Sequence, residues 1–154
     1  VRGVAFNRDE SLLTIMGVQD DTGMAYNTLG PISDANIEID MIVKNIDADG
    51  TTDFTFTVHR DDYKQAREIL EATGKKYNAE KVAGYAKIAK VSIVGGGMRS
   101  HAGVATKMFK TLAKENINIR LISTSEIKVA VLIEEKYLEL AVRSLHEAFG
   151  LEAV

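Results

Sequence analysis

The sequence contains an internal repeat. In each copy a glycine follows an apolar, strand-like run, and an Asn-Ile-x-Ile segment follows the glycine. The glycine precedes the asparagine by 13 residues in both copies, Gly23 to Asn36 and Gly103 to Asn116. A repeat constrains the architecture before any single residue does. It predicts two equivalent modules and therefore two equivalent places for a ligand or a partner.

Apolar periodicity predicts the order β-α-β-β-α-β in the first copy and the same order, without a last strand, in the second. For the first copy we predict strands at 11–18, 37–43, 54–58 and 78–85 and helices at 24–35 and 62–72. For the second copy we predict strands at 91–94, 117–122 and 127–133 and helices at 103–115 and 135–149. Gly30-Pro31 lies inside the first helix, so we expect a kink or an early end there. In the strand at 127–133, Ile127 begins an alternation that predicts one buried face.

The second copy is too short for a fourth strand, because only residues 150–154 follow its last helix. The strand-like segment 1–6 is not needed by the first copy. We predict that it fills the missing edge position of the second sheet, since an unpaired edge exposes open N–H and C=O groups. The predicted domains are then 8–86 and 1–7 with 87–154, the first inserted in the second. The expected fold class is α+β, with two ferredoxin-like antiparallel sheets that each carry both helices on one face.

Composition excludes several classes of function. The 154 residues include no cysteine, so disulfides and thiolate sites are excluded, and a reducing compartment is expected. The net charge of −3 and the absence of clustered Lys and Arg argue against nucleic-acid binding. No apolar run approaches the roughly 20 residues of a membrane span, and the N-terminus does not resemble a secretory signal. We therefore expect a cytoplasmic protein without nucleic-acid or membrane partners.

The loop Gly95-Gly96-Gly97-Met98 precedes a predicted helix, but its spacing does not fit a dinucleotide fingerprint, because Ser100 stands where the third glycine should be. What the loop offers is a set of backbone N–H groups at a helix start, and the turn from Asp20 to Gly23 offers the same in the first copy. Such positions favour an anion, including a single carboxylate. We predict no catalytic residue, since there is no G-x-S-x-G elbow.

Other side chains have competing interpretations. His59, His101 and His146 have no metal-ligand spacing, so no metal site is predicted. Asp20 and Asp40 could each meet an ammonium group, or they could be a turn-forming and an edge-strand residue. Phe54 and Phe56 could form a base-stacking platform, but the acidic balance favours core packing.

The two repeated units, each with a strand, an Asp/Gly turn, a helix and an Asn-Ile-x-Ile segment, resemble ACT domains, the small-molecule sensors of amino-acid metabolism. Particular segments resemble the C-terminal regulatory region of aspartokinases, and the likeness covers essentially the whole chain. The most specific are the Ser-His-x-Gly-Val run at 100–104 and the Ile-Ser-Thr-Ser-Glu-Ile run at 122–127. The other segments that carry the resemblance are 3–6, 40–43, 51–56 and 90–95.

This resemblance implies a regulatory role in feedback inhibition. Aspartokinases use ATP to phosphorylate aspartate on the route to lysine, threonine and methionine. The kinase domain is not in this chain, so the chain is not expected to be an enzyme by itself, and ATP and Mg²⁺ would serve the absent domain. No cofactor is expected in this chain. Expected partners are threonine or lysine as effectors, a second copy in an ACT-domain homodimer, and a full-length aspartokinase α subunit.

The resemblance also implies two effector clefts, each with residues from both modules. The first cleft uses Asp20, Gly23, Met24, Ala25 and Lys44, facing Asn116, Asn118 and Ile119. The second uses His101, Gly103, Val104, Ala105, Ser125 and Glu126, facing Asn36, Ile37 and Asp40. Thr22 stands where the family usually has proline, and Lys44 where it usually has glutamine. A cation at position 44 should disfavour a cationic ligand.

Two other functions remain open at this point. A ferredoxin-like acyl-phosphate hydrolase needs an arginine in a phosphate loop, for which Arg99 is the candidate. A free-standing ACT sensor would serve some other enzyme. Turnover of an acyl phosphate distinguishes the first, and co-purification of a larger kinase chain distinguishes the second.

Overall fold

Two long strands, β1 (Gly3–Gln19) and β4 (Lys81–Val94), organise the chain. The structure is a computed structural model that describes residues 1–95 and 101–151. Its contacts divide the chain into two units, which we call the inserted unit (residues 9–87) and the flanking unit (residues 1–8 and 88–154). The boundary between the units falls inside both strands.

The sequence analysis predicted each of these strands as two separate pieces, which is wrong. Residues 7–10, Asn-Arg-Asp-Glu, interrupt the apolar alternation of β1, yet Glu10 still pairs with His59 of the neighbouring strand. A strand is held by backbone hydrogen bonds, which do not depend on side-chain polarity. A polar run can therefore hide a continuous strand from a method that reads hydrophobic periodicity.

In the inserted unit the strand order is β2-β3-β1-β4, with β2 at Ile39–Ile46 and β3 at Thr51–His59. Helix α1 spans Met24–Asp34, and α2 spans Tyr63–Lys76 after a short 3-10 turn. Both helices pack on the same face of the sheet, because their buried residues share one cluster with the inward residues of β1 and β3. That cluster includes Leu13, Ile15, Met24, Ile32, Phe54, Phe56, Val58, Ala66 and Leu70.

In the flanking unit the order is β1-β4-β6-β5, with β5 at Leu121–Thr124 and β6 at Lys128–Glu134. The N–H group of Arg2 donates to the carbonyl of Val94 at 2.7 Å, beside β4. Helix α3 spans His101–Lys114, and α4 spans Leu138–Ala148 after a second 3-10 turn. The core contains Val91, Ile93, Met108, Leu112, Val129, Val131, Ile133, Leu138, Ala141 and Leu145.

The predicted fold class is confirmed: the chain is α+β, with antiparallel strand pairs and four helices in the described residues. Phe54 and Phe56 are 1% and 0% exposed, so core packing is the correct interpretation of these rings. Ile127 was predicted on a buried face and is 54% exposed, because β6 begins one residue later, at Lys128. No helix in the described ranges is long and apolar enough to cross a membrane.

All four helices end in the same way. The residue that closes each helix has a positive φ: 61° at Asn36, 54° at Asn78, 58° at Asn116 and 66° at Gly150. In each case the next N–H group donates to the carbonyl five residues earlier: Ile37 to Ile32, Ala79 to Gly74, Ile117 to Leu112 and Leu151 to His146. This is the Schellman arrangement, which takes glycine or asparagine at the left-handed position.

Helix α1 continues through Pro31 to Asp34, so the early end, one of the two outcomes predicted at Gly30-Pro31, is wrong. Proline removes one backbone donor from the helix, and its ring crowds the preceding turn. The residue before Pro31 is Gly30, where a Cβ atom would lie 3.4 Å from Cε1 of the Tyr26 ring. Packing of Met24, Thr28 and Ile32 into the core holds both ends of the helix despite the lost bond.

Candidate functional site

The turn between β1 and α1 carries the first part of the predicted site. The Asp21 carboxylate accepts a hydrogen bond from the N–H group of Gly23 at 3.0 Å, and the Asp21 carbonyl accepts one from Met24 at 3.3 Å. The first helical bond runs from the N–H group of Asn27 to the Gly23 carbonyl. Because the first N–H groups of a helix have no acceptor within it, the N–H group of Ala25 is available to an anion by helix geometry.

Lys44 of β2 reaches the same turn. Its ammonium nitrogen lies 3.1 Å from Oδ1 of Asp20, and the two side chains are 42% and 30% exposed. It also lies 6.0 Å from the centre of the Phe54 ring, the residue directly opposite Lys44 on β3. The structure therefore brings together two residues that the sequence analysis assigned to one cleft, and it joins them as an ion pair that the sequence analysis did not foresee.

The equivalent region of the flanking unit is the start of α3. His101 is the first residue of that helix, and Gly103 is exposed in its first turn. Ser125 and Glu126 lie between β5 and β6, where the Ser125 N–H group donates to the Lys128 carbonyl at 2.8 Å. The predicted loop Gly95-Gly96-Gly97-Met98 lies almost wholly in residues 96–100, which are outside the described residues. The same holds for Ser100 and for Arg99, the candidate phosphate-loop arginine.

Several predicted site residues have side chains that are buried in the cores or packed against them. Met24 is 2% exposed and Ile37 is 4% exposed. Val104, Ala105 and Ile119 are partly buried and pack against the flanking core. Each can therefore offer mainly backbone groups to a ligand. Asn118 and Asp40 are exposed, and Asp40 lies where the register of β2 shifts between Ile39 and Ile42.

Asn36 and Asn116 have a structural reason to be asparagine, which the sequence analysis missed. Both occupy the left-handed position that ends a helix, and the isoleucine after each is 4% exposed. The signal was present in the sequence, because an apolar residue commonly follows the left-handed residue of a Schellman end. The strands begin later than predicted, at Ile39 and Leu121, because the Asn-Ile pair belongs to the helix end. How the residues of one unit meet those of the other in a cleft stays a prediction.

The carboxylates of the β2–β3 hairpin form a self-contained turn. The Thr51 hydroxyl and N–H group donate to Asp49 at 2.6 and 2.9 Å, and these bonds hold the pKa of Asp49 below its usual value. A hydrogen bond with Asp53 raises the pKa of Asp47. Within residues 1–95 and 101–151, no group of three or more His, Cys, Asp or Glu residues is arranged to hold a metal ion.

A groove of about 590 Å³ in the flanking unit was not predicted. Its floor is apolar, with Phe6 from β1 and Leu138 and Val142 from α4. The Arg8 guanidinium lies 5.8 Å from the centre of the Phe6 ring, which is 52% exposed. Phe6 ends an apolar run directly before the polar residues 7–10, and this position was the signal in the sequence that could have located the groove.

Comparison with known proteins identifies the class of domain. The family model described as "ACT domain" matches residues 91–149, which lie in the flanking unit and include α3, β5, β6 and α4. A crystal structure of aspartokinase alpha and beta subunits superimposes with a TM-score of 0.89 and 55% identity, over 97% of this chain and 99% of that chain. The ligand-free regulatory subunit of aspartate kinase from Thermus thermophilus gives a TM-score of 0.87 and 34% identity, over 97% and 98%.

Aspartate kinase of Pseudomonas fluorescens (strain SBW25) is 67% identical over 153 residues, which is 99% of this chain and 37% of that protein. The chain thus spans about 37% of the length of this relative and of the aspartate kinase of Pseudomonas putida that it also matches. The chain belongs to the aspartokinase family, and it corresponds to the regulatory ACT region of that family.

Proposed function

We propose that this chain senses threonine, lysine or both at seams between ACT units and thereby controls an aspartokinase catalytic domain. That domain would use ATP and Mg²⁺ to phosphorylate aspartate in the cytoplasm, and the bound effector would inhibit it. The proposal rests on the family membership and on one observation about the repeated glycines, Gly23 and Gly103.

Neither repeated glycine is required by a contact with another described residue. A Cβ atom at Gly23 would make only ordinary contacts, at 3.6 Å or more, and one at Gly103 would meet nothing within 4 Å among the described residues. Neither has a positive φ, unlike Gly17, Gly50 and Gly150. Both stand at the start of a helix, where backbone N–H groups favour a carboxylate. A small residue at this place is explained if a ligand or a neighbouring unit approaches the backbone closely.

An amino acid has the groups that such a place can bind. Its carboxylate would accept from the N–H groups at the helix start, and its ammonium would donate to Asp20 in the first cleft. Asn116 and Asn118 would contribute from the other side of that cleft. A ligand of about ten heavy atoms has an upper limit near −1.5 kcal/mol per atom and usually falls well short of it, so affinity in the micromolar range or weaker is expected.

Control of catalysis follows if binding changes how units associate. The solved relative described as aspartokinase alpha and beta subunits suggests a catalytic α chain as the partner of this chain. We also propose that two copies associate through their ACT units, which would complete both clefts. Inhibition then needs a coupling free energy of only about 1–3 kcal/mol between effector binding and the inactive state of the kinase domain.

Calorimetric titration of this chain with threonine and with lysine tests the proposal. We expect saturable binding of at least one of the two. Replacing Asp20 with asparagine should weaken that binding by about ten-fold or more, because a hydrogen bond to a charged group contributes about 1.5–3 kcal/mol. Asp34→Asn, an equal change at the exposed end of α1, should leave affinity unchanged.

Sedimentation of the same samples provides a second measurement, since effector should shift the equilibrium toward dimer. Absence of binding by both amino acids would contradict the proposed function. Binding without co-purification of any aspartokinase catalytic chain would favour a free-standing sensor for another enzyme.

Asn116 permits a separate test, because its role in ending the helix and its proposed role in binding effector can be tested with different variants. Asn116→Gly keeps the left-handed backbone and should change stability little, whereas Asn116→Ala should cost about 1 kcal/mol. If the side chain also binds effector, Asn116→Gly should weaken binding while leaving the folded state intact. Asn78→Gly is the matched control, since Asn78 ends α2 with the same geometry and belongs to neither predicted cleft. Equal affinities in the two glycine variants would remove Asn116 from the site.

A further inference from the structure

The pair formed by Asp20 and Lys44 has a consequence for ligand choice in the first cleft. Lys44 approaches Asp20 from two strands away, since β3 lies between β1 and β2 in the inserted unit. Its nitrogen is 3.1 Å from the carboxylate, the distance at which an ammonium donates a hydrogen bond. The chemical group that Lys44 presents to Asp20 is therefore the same group that an amino-acid effector would present.

We propose that Lys44 is a tethered competitor that an effector must displace from Asp20, and that it selects against amino acids with a second positive charge. This inference rests on the proposed function and names the ligand class at that site. An amino acid with a neutral side chain would replace the Lys44 ammonium on the Asp20 carboxylate with its own α-ammonium. A diamino acid brings an additional cation into a place where the displaced Lys44 ammonium remains.

The competition can be overcome because the ion pair is weak. Both side chains are roughly one-third exposed or more, and such pairs contribute only about 0.2–1 kcal/mol. Lys44 has a flexible stem, so its ammonium, which lies 6.0 Å from the centre of the Phe54 ring, can swing toward water. The cost to the effector is therefore a few-fold in affinity and does not block binding.

The geometry also indicates why the effect is larger for a diamino acid. Two positive charges about 6 Å apart repel each other by about 1 kcal/mol at an effective dielectric constant near 55, which corresponds to about five-fold in affinity. The repulsion adds to the cost of displacement, so the two effects together give about ten-fold or more. Removing the positive charge at position 44 should therefore help lysine more than threonine.

The experiment is calorimetric titration of the 154-residue chain with L-threonine and with L-lysine, for the unchanged protein and Lys44→Gln. We expect Lys44→Gln to bind threonine about three-fold more tightly and lysine about ten-fold more tightly. Lys44→Arg keeps the cation and should retain the affinities of the unchanged protein. Lys64→Gln, which makes the same charge change at an exposed position of α2, should also leave them unchanged.

Circular dichroism checks that each variant is folded, and Lys44→Met provides a second neutral side chain of similar length. If the unchanged protein binds an amino acid and neither neutral variant binds it more tightly, the inference is wrong while the proposed function stands. Weaker binding in the neutral variants would mean that Lys44 holds the effector's carboxylate, which also overturns the inference. If no variant binds either amino acid, the proposed function itself fails.

Discussion

Replacing Phe56 with alanine should lower the free energy of unfolding by about 3–5 kcal/mol, the range measured when a buried aromatic ring is removed. Phe56 is 0% exposed, in the middle of β3, where it lies opposite Leu13 on β1 and Ile42 on β2. A central strand fixes its neighbours on both sides, so the cavity cannot close by the movement of one edge. Urea unfolding followed by circular dichroism measures the change.

Phe6→Ala is the matched control, because it removes the same ring from a position that is 52% exposed. It should change the unfolding free energy by less than about 1 kcal/mol, since little apolar area is returned to water. Equal losses in the two variants would mean that the ring at position 6 packs as tightly as the ring at position 56, contrary to the structure.

The second large effect is expected at Gly84 of β4. A Cβ atom there would overlap the Tyr63 hydroxyl and would also lie 2.9 Å from Cε1 of Tyr63 and 3.0 Å from Cδ2 of Leu13. Leu13 is fully buried, so the strand cannot shift without disturbing the core. Gly84→Ala should therefore destabilise the protein by about 1–3 kcal/mol, as overpacking does. Thermal and urea unfolding both report this loss.

Two further variants identify the cause. Gly3→Ala, in β1, should be close to neutral because nothing lies within 4 Å of the added atom. Tyr63→Phe removes the closest obstacle, although it also removes the acceptor of a 2.8 Å hydrogen bond from Arg67. In the Tyr63→Phe background, Gly84→Ala should cost measurably less than in the unchanged protein. An equal cost in both backgrounds would show that the hydroxyl is not the obstacle.

Hydrophobic periodicity was sufficient for the elements whose two faces differ in polarity. It predicted β3 and the helices α2, α3 and α4, and the structure places residues of all four elements in the two cores. Periodicity did not predict the features of the fold that depend on backbone geometry. The joined strands β1 and β4 and the shift of β2 to Ile39 depend on backbone hydrogen bonds that side-chain polarity does not report. The continuation of α1 through Pro31 depends on the packing of the helix on the core.

The candidate site shows the same division. The repeat located both helix starts to within two residues, because a glycine at the start of an apolar helix is a local pattern. The ion pair between Asp20 and Lys44 was not predicted, since it joins residues on two strands separated by a third. Only the register of β2 on β3, with Lys44 opposite Phe54, places that ammonium near the turn.

The sequence by itself determined the duplicated α+β architecture, because this follows from residue patterns that repeat at short range, and its motifs carried the resemblance that indicated a regulatory ACT region. The tertiary structure decided which of the predicted site residues have a role in the backbone. Asn36 and Asn116 hold left-handed helix ends, while Gly23 and Gly103 are required by no contact among the described residues. That distinction depends on φ angles and on the space around each Cα atom, and both are fixed only when the chain is folded.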